Sequence, residues 1–229
     1  MAKCAIMQPT YFPWAGFFSL INSVDYFVFL DNVQYERGTW QNRNRVLVNG
    51  EPRWLTVPAT RKFLGQAINE TEIDEKQNWR QKHLKMLSNA YARHPYAAEM
   101  LQAAKEAFDL ETANLSELNV WIISGFAKKL GTKATLLKAS DLCIPGGRTE
   151  RLINICNHLD CGEYISPVGA AQYLADDGFV QKTSIRLSFN NFYPAPYPQF
   201  NAPAFVSHMS ILDVIANLGW NGAAEYIRG

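Results

Sequence analysis

Two uninterrupted apolar segments joined by a short helical pattern restrict the fold of this chain more than any other feature. The segments are residues 4–7 and 26–30, and residues 18–24 between them space apolar side chains along one helix face. Strands without polar alternation are buried on both faces, and a helical crossover between two such strands is typical of a parallel sheet. The sequence therefore predicts an α/β fold with a Rossmann-like, mostly parallel sheet.

The last third of the chain repeats the alternation of strands and helices. Its predicted strands are residues 134–137, 164–166 and 184–189. A helix over residues 149–159, capped by Thr149, and a shorter one over 168–174 separate them. The final helix is predicted to begin near Ser210, where Asp213 three positions later resembles a capping box.

The middle of the chain is mainly helical. Its predicted helices are residues 79–91, a segment opened by Pro95 that runs towards 108, and residues 115–130. Before them, short strands at 45–48 and 53–57 flank the Asn49-Gly50 turn. Because strands flank this block on both sides, we expect one domain over residues 1–229 with a helical insertion at about 70–130.

The composition indicates a cytoplasmic protein with a full core. Of its 229 residues, 48% are hydrophobic and 19% charged, and the net charge of +1 provides no general attraction for nucleic acid. We find no signal-like N-terminus and no apolar run of the ~20 residues that span a membrane. The cysteines lack paired CxxC spacing, so free thiols are expected at Cys4, Cys143, Cys156 and Cys161.

The segment after the first strand is rich in large rings and prolines. Residues 8–14 read Gln-Pro-Thr-Tyr-Phe-Pro-Trp, and Asp31 follows the second strand. Ligands of parallel sheets bind beyond the carboxyl ends of the strands, where helix N-termini favour anions. We therefore expect Gln8, Tyr11 and Trp14 to contact a substrate at a site that also receives Asp31.

These segments resemble the WbqC-like proteins, and the similarity continues in the same order through nearly the whole chain. The similar segments are residues 8–14, 25–28, 30–35, 40–45, 54–58, 79–83, 164–166 with Gly169 and Tyr173, and 209–213. The resemblance implies a bacterial cytoplasmic protein encoded with enzymes of surface-polysaccharide biosynthesis, such as that of lipopolysaccharide O-antigen, or of specialised metabolites. It also implies acyl or aminoacyl transfer in some contexts.

A basic segment over residues 37–62 is the second candidate region. Its Asn-Arg-Asn-Arg run would place both amides on one face of an extended strand and both cations on the other. Guanidinium groups bind phosphate and carboxylate through paired hydrogen bonds, although a solvated basic edge is the alternative, above all for Arg61 and Lys62. The substrate-binding residues predicted here are Gln34, Asn42, Arg43 and Asn44.

The late strand offers further ligand positions at its end. Ser166, Gly169 and Tyr173 lie at the end of the strand or in the helix that follows it, and are predicted to bind substrate. At Pro167 the chain departs from the family pattern, in which a small residue such as glycine is expected.

Few residues qualify as catalysts. His83 follows Trp79 by one helical turn and is predicted to be a general base, with a structural histidine as the alternative. Asp31 is the other predicted catalytic residue, and His208 is a second choice of base. Cys161 could carry an acyl group, although a buried free thiol is the stronger expectation.

The residues leave more than one function open. The first hypothesis is acyl or aminoacyl transfer to the amine of an amino sugar or small metabolite, with a nucleotide-sugar or an activated acyl donor as substrate. The rival is a non-catalytic protein that binds a nucleotide-sugar or a pathway partner. A weaker alternative is a nucleotidyltransferase-like enzyme, whose loop histidines are replaced here by Tyr11 and Trp14. No metal site is indicated, because the sequence has no metal-ligand array, and a cofactor stays unidentified because neither a P-loop nor a glycine-rich fingerprint is present.

Overall fold

The computed structural model describes residues 1–200 and 202–229. The strands are β1 (Ala2–Met7), β2 (Tyr26–Phe29), β3 (Arg43–Val48), β4 (Glu51–Thr56), β5 (Ala59–Thr60), β6 (Glu72–Ile73), β7 (Thr135–Lys138), β8 (Cys161–Pro167) and β9 (Arg186–Asn190). The α-helices are α1 (Ala15–Asn22), α2 (Trp79–Tyr91), α3 (Ala97–Phe108), α4 (Leu115–Lys129), α5 (Ala139–Leu142), α6 (Arg148–His158), α7 (Ala171–Asp176), α8 (Phe179–Lys182) and α9 (Ile211–Tyr226).

The central sheet is parallel and has the strand order β7-β2-β1-β8-β9. This confirms the predicted Rossmann-like α/β fold. The chain adds β2 and β7 on one side of β1, and β8 and β9 on the other. The ends of β1 and β8 therefore form the topological switch point, where open α/β sheets bind their ligands.

Both faces of the sheet are covered by apolar side chains, as the uninterrupted strands predict. Along β2, Phe27 and Phe29 join the larger core, whereas Val28 joins the core on the other face. Helices α1, α2, α3, α4 and α9 contribute to the larger core, and α6, α7 and α8 to the smaller one. Such double coverage holds the strand ends in a fixed register around the edge where β1 and β8 finish.

Several predicted helix starts are wrong. Helix α1 begins at Ala15, three residues earlier than expected, because its first turn packs Ala15 and the two residues after it into the core. Helix α3 begins at Ala97, two residues after Pro95. Thr149 is the second residue of α6 rather than its cap, since Gly147 occupies the cap position.

The predicted capping box at the start of α9 is half right. The Ser210 Oγ accepts a hydrogen bond from the Leu212 N–H, so Ser210 is the cap. The Asp213 carboxylate turns into the core instead, where it accepts from Tyr91, Tyr197 and Gln199. In the part of the chain that the structure describes, no helix combines the length and apolarity needed to cross a bilayer.

Candidate functional site

The loop over residues 8–14, between β1 and α1, is held in place by hydrogen bonds from buried polar side chains. The Asn44 Nδ2 of β3 donates to the carbonyl oxygens of Tyr11 and Phe12, at 3.1 and 2.9 Å. The Ser210 Oγ donates to the same Phe12 oxygen at 2.8 Å. These bonds hold Phe12 at a φ of +39°, which a bulky side chain adopts only when its surroundings impose it.

A third buried side chain that holds the loop belongs to helix α4. The Asn119 Nδ2 of α4 donates to the Pro9 oxygen at 3.2 Å and to the Gln41 oxygen at 2.7 Å. Asn119 is fully buried among the apolar residues Leu118 and Ile122. Because unpaired buried amides are costly, these bonds fix the loop against α4.

The indole of Trp14 lies over the first turn of α1. A Cβ built on Gly16 would stand 2.3 Å from the Trp14 ring, so any other residue at this position would force the ring to move. The ring is half-buried, and its centroid lies 4.5 Å from the His208 ring at an interplanar angle of 32°. Trp14 is thus held as a platform at the end of β1.

Two adjoining cavities open beside this platform, and we call them together the Trp14 crevice. Their volumes are about 270 and 240 Å³, and both are lined by Met7, Trp14, Phe17 and His208. One extends to Gly169 and Asn190 at the ends of β8 and β9, and the other to Thr10, Trp40 and Asn44. The crevice therefore lies at the topological switch point of the sheet.

Cationic side chains stack on tryptophans beside the crevice. The Arg43 Cζ lies 4.2 Å from the centroid of Trp54, and the Arg45 Cζ lies 5.7 Å from that of Trp40. Among the described residues, neither guanidinium has a carboxylate within ion-pair distance. The predicted alternation is present, because the amide of Asn44 is buried while both cations lie on the other face.

His208 belongs to the Trp14 crevice. Its Nδ1 lies 2.8 Å from the Ser207 Oγ. Partial burial, and then the positive charge of Arg45, hold the pKa of His208 below its usual value. A neutral imidazole in a cavity can accept a proton from a substrate.

His83 lies in a closed aromatic cluster instead. Its Nδ1 is 3.0 Å from the Tyr11 hydroxyl, and the rings of Trp79 and Phe108 pack at 5.3 and 6.0 Å. Burial lowers the pKa of His83 to about 4. Since His83 does not line the crevice, its role as a base stays a prediction that requires the cluster to open.

The other predicted site residues are divided among separate cavities. Asp31 lines a groove of about 510 Å³ at the ends of β2 and β7. Gln34 and Asn42 line a polar cavity of about 950 Å³ with Arg37 and Arg61. Of the predicted substrate-binding residues, the structure brings Trp14, Asn44 and Gly169 together in one crevice.

Three predicted residues lie near the crevice or the sheet without lining it. The Gln8 side chain is exposed and accepts a hydrogen bond from the Gln41 Nε2 at 2.8 Å. The Ser166 hydroxyl is buried, and Tyr173 is half-buried in the smaller core, where burial raises its pKa. Gln8, Asp31 and Ser166 share the carboxyl edge of the parallel sheet, but not one cavity.

None of the four cysteines lines the Trp14 crevice. All four are free, as expected, and Cys161 begins β8, at the edge of the sheet opposite the crevice. Within residues 1–200 and 202–229, no group of three or more histidine, cysteine or acidic residues is arranged to hold a metal ion.

Sequence reasoning did not identify Asn119 as a residue that holds the loop, and it ranked His208 below His83 as a candidate base. An amide among the apolar positions of α4 is a readable signal, because polar groups on a buried face need partners. No local pattern brings His208 to Trp14, since 194 positions separate them and only the tertiary fold makes them neighbours.

Comparisons with known proteins give the same family as the sequence pattern. The WbqC-like protein family matches residues 8–225. The chain is 34% identical over 231 residues to the uncharacterized protein Rv1507c of Mycobacterium tuberculosis (strain ATCC 25618 / H37Rv), an alignment that covers 100% of this chain and 98% of that protein. No solved structure matches the chain.

Proposed function

The chain belongs to the WbqC-like protein family, and from this premise we propose that it is a cytoplasmic transferase of surface-polysaccharide or specialised-metabolite biosynthesis. Its Trp14 crevice binds an activated, nucleotide-linked substrate, and the enzyme transfers an acyl or aminoacyl group to an amine of an amino sugar or similar metabolite. The observation that carries this proposal is the pair of rings of Trp14 and His208 at the switch point of the sheet.

The crevice offers separate partners for the planar and the anionic parts of such a substrate. A nucleobase or other flat group packs against the exposed part of the Trp14 indole, which lies between the first turn of α1 and the His208 ring. Phosphates that extend past Trp40 at the rim of the crevice would meet the guanidinium groups of Arg43 and Arg45, which no carboxylate of the described chain pairs. The N-terminus of α1 adds a positive partial charge at the same edge.

His208 is the proposed general base. Its neutral imidazole takes the proton from the attacking amine as the new nitrogen–carbon bond to the acyl carbonyl forms. The bond from that carbonyl to the leaving group then breaks, and the imidazolium returns the proton to the leaving group. Such a base contributes about 10²–10⁴-fold to a rate.

Calorimetric titration with uridine- and thymidine-diphosphate amino sugars tests the site. We expect Trp14→Ala to weaken binding at least about tenfold, the equivalent of roughly 1.4 kcal/mol, because the stacking surface is lost. Trp220→Ala is the matched control, since Trp220 is half-buried like Trp14 and lines neither the crevice nor the groove beside Asp31. Equal affinities of the wild type and Trp14→Ala for every probe would contradict the assignment.

The rival function is binding without catalysis. It is favoured by the exposed stack of Trp40 and Trp54, whose side chains are 47% and 41% exposed and could receive a partner. Incubation of the protein with the same sugars and acyl or aminoacyl thioesters separates the two, with mass spectrometry of the sugar as the readout. Binding without any gain of mass supports the rival, and pyrophosphate release from a nucleoside triphosphate would support a nucleotidyltransferase.

A further inference from the structure

A second groove opens where β2 and β7 end, and it shares no lining residue with the Trp14 crevice. Its volume is about 510 Å³, within the range of small-molecule sites. We call it the Asp31 groove. Its lining includes Asp31, Asn69, Ser116, Glu117, Trp121 and Ser140.

The carboxylate of Asp31 is buried and lacks a cationic partner. The residue is 1% exposed, and its two oxygens accept from the Ser140 N–H at 2.9 Å and the Ser140 hydroxyl at 2.6 Å. Within the described chain no lysine, arginine or histidine lies within ion-pair distance of it. A carboxylate has acceptor capacity for further donors, and a buried one without a cation is costly.

The lysine that lines the groove forms an ion pair with another residue. Lys138 lines the groove, but its Nζ lies 3.2 Å from the Asp141 carboxylate. The N-terminus of α4 brings a positive partial charge to the groove, which Glu117 in its first turn and the Asn114 cap both offset. Asp31 therefore leaves the groove with a negative charge that no cation of the described chain pairs.

Two further side chains suit a ligand with both carbon and hydroxyl surfaces. Trp121 is 39% exposed and presents its indole to the groove. Ser116 is only 2% exposed, and its hydroxyl has no hydrogen-bond partner in the protein. Buried hydroxyls are normally paired, so an unpaired one that lines a cavity points to a partner outside the chain.

We propose that the Asp31 groove binds a small molecule that carries a protonated primary amine and hydroxyl groups. The ammonium donates to Asp31 and lies against the Trp121 ring, which attracts cations. Ser116 and Asn69 exchange hydrogen bonds with the hydroxyls. This site is independent of the Trp14 crevice, and it stands whether or not the crevice binds nucleotides.

Glucosamine and glucose are matched probes, because they differ by the amine alone. We would titrate both by saturation-transfer NMR at about pH 6, where an amine with a pKa near 8 is protonated. Glucosamine should bind at least fivefold more tightly than glucose. Trp121→Ala and Asp31→Asn should each weaken glucosamine binding at least fivefold, whereas Trp54→Ala, an equally exposed tryptophan elsewhere, should not.

Other variants keep the test decisive if Asp31→Asn, which takes an acceptor from Ser140, fails to fold. Ser116→Ala removes a hydroxyl without a protein partner, so it should fold normally and weaken glucosamine binding about threefold. Equal affinity for both sugars, or unchanged binding in Trp121→Ala, would overturn the proposal.

Discussion

The loop over residues 8–14 places an aromatic ring against each of two histidines, His83 and His208. The first histidine lies in a closed cluster and the second beside an open crevice. Tyr11 points inward to His83, in a cluster closed by Trp79 and Phe108. Trp14, three residues later, points to His208 and an open crevice. Similar residue types thus lie in a sealed core on one side of the loop and at the edge of a cavity on the other.

The difference shows that burial, rather than residue type, decides what a histidine can do. Burial lowers the pKa of His83 to about 4, so its imidazole is neutral at physiological pH and shielded from solutes. The pKa of His208 is also lowered, but its ring remains exposed beside the crevice. Only the second histidine combines a neutral ring with access to a ligand.

The largest effect expected from this comparison is a loss of stability in His83→Ala. The change leaves a cavity among aromatic rings and the Tyr11 hydroxyl without its partner, so we expect it to cost about 3 kcal/mol. Urea unfolding measures this loss. Turnover per folded molecule should stay near that of the wild type, and a hundredfold decrease in it would make His83 the base.

An effect of similar size is expected from pH. The folded-state pKa of His83, about 4, lies below its ordinary value of 6.5. Between these two values the imidazole is protonated in the unfolded chain but neutral in the folded chain. The contribution of His83 to stability is therefore complete above about pH 6.5 and is lost as the pH falls towards 4. This loss amounts to about 3 kcal/mol.

Unfolding curves at a series of pH values check this prediction. Since His94, His208 and Asp213 also have shifted pKa values, the wild type must be compared with His83→Gln. The variant should lose less stability than the wild type between pH 6.5 and 4. Parallel pH profiles of the two proteins would show that His83 is protonated equally in both states.

The next effect concerns catalysis at the open site. His208→Gln should lower turnover about a hundredfold, or roughly 2.7 kcal/mol, with an unchanged melting temperature. His158→Gln is a matched control, because His158 is an exposed histidine at the end of α6. If both variants turn over at the wild-type rate once a substrate is known, the crevice has no general base at this position.

The smallest expected effect is on the platform itself. In Gly16→Ala the new methyl group meets the Trp14 ring, which must move. We expect affinity for the nucleotide probes to fall about tenfold, or roughly 1.4 kcal/mol, with a normal far-ultraviolet circular dichroism spectrum. Gly125→Ala is the control, because a Cβ there meets nothing within 4 Å.

The fold could be predicted where local pattern and burial agree. The segments at residues 4–7 and 26–30 are apolar at almost every position because helices cover both faces of the sheet, and this signal survives in the sequence. Helix starts were less accurate. Thr149 is a good cap by residue type, but its hydroxyl donates to Asp177, a contact that only tertiary packing creates.

The candidate site was less predictable than the fold. The sequence placed Gln8 and Asp31 at one edge correctly, because parallel strands end together. It could not show that this edge is divided into separate cavities, since each cavity is lined by residues far apart in the chain, such as Trp14 with His208 and Asp31 with Trp121. Likewise, Trp14 and His208 lie next to each other only because α9 packs against α1.

The bond from Ser210 to the Phe12 carbonyl also has a consequence for the order in which the protein is made. Its partners lie 198 positions apart, so the ribosome completes the loop long before it adds Ser210. At synthesis rates of about 5–20 residues per second, this interval is roughly 10–40 s. Nascent chains stopped before Ser210 should therefore be cleaved by protease within residues 8–14, and chains released at full length should resist. The crevice would be among the last parts of the molecule to take shape, so that an unfinished chain cannot bind substrate.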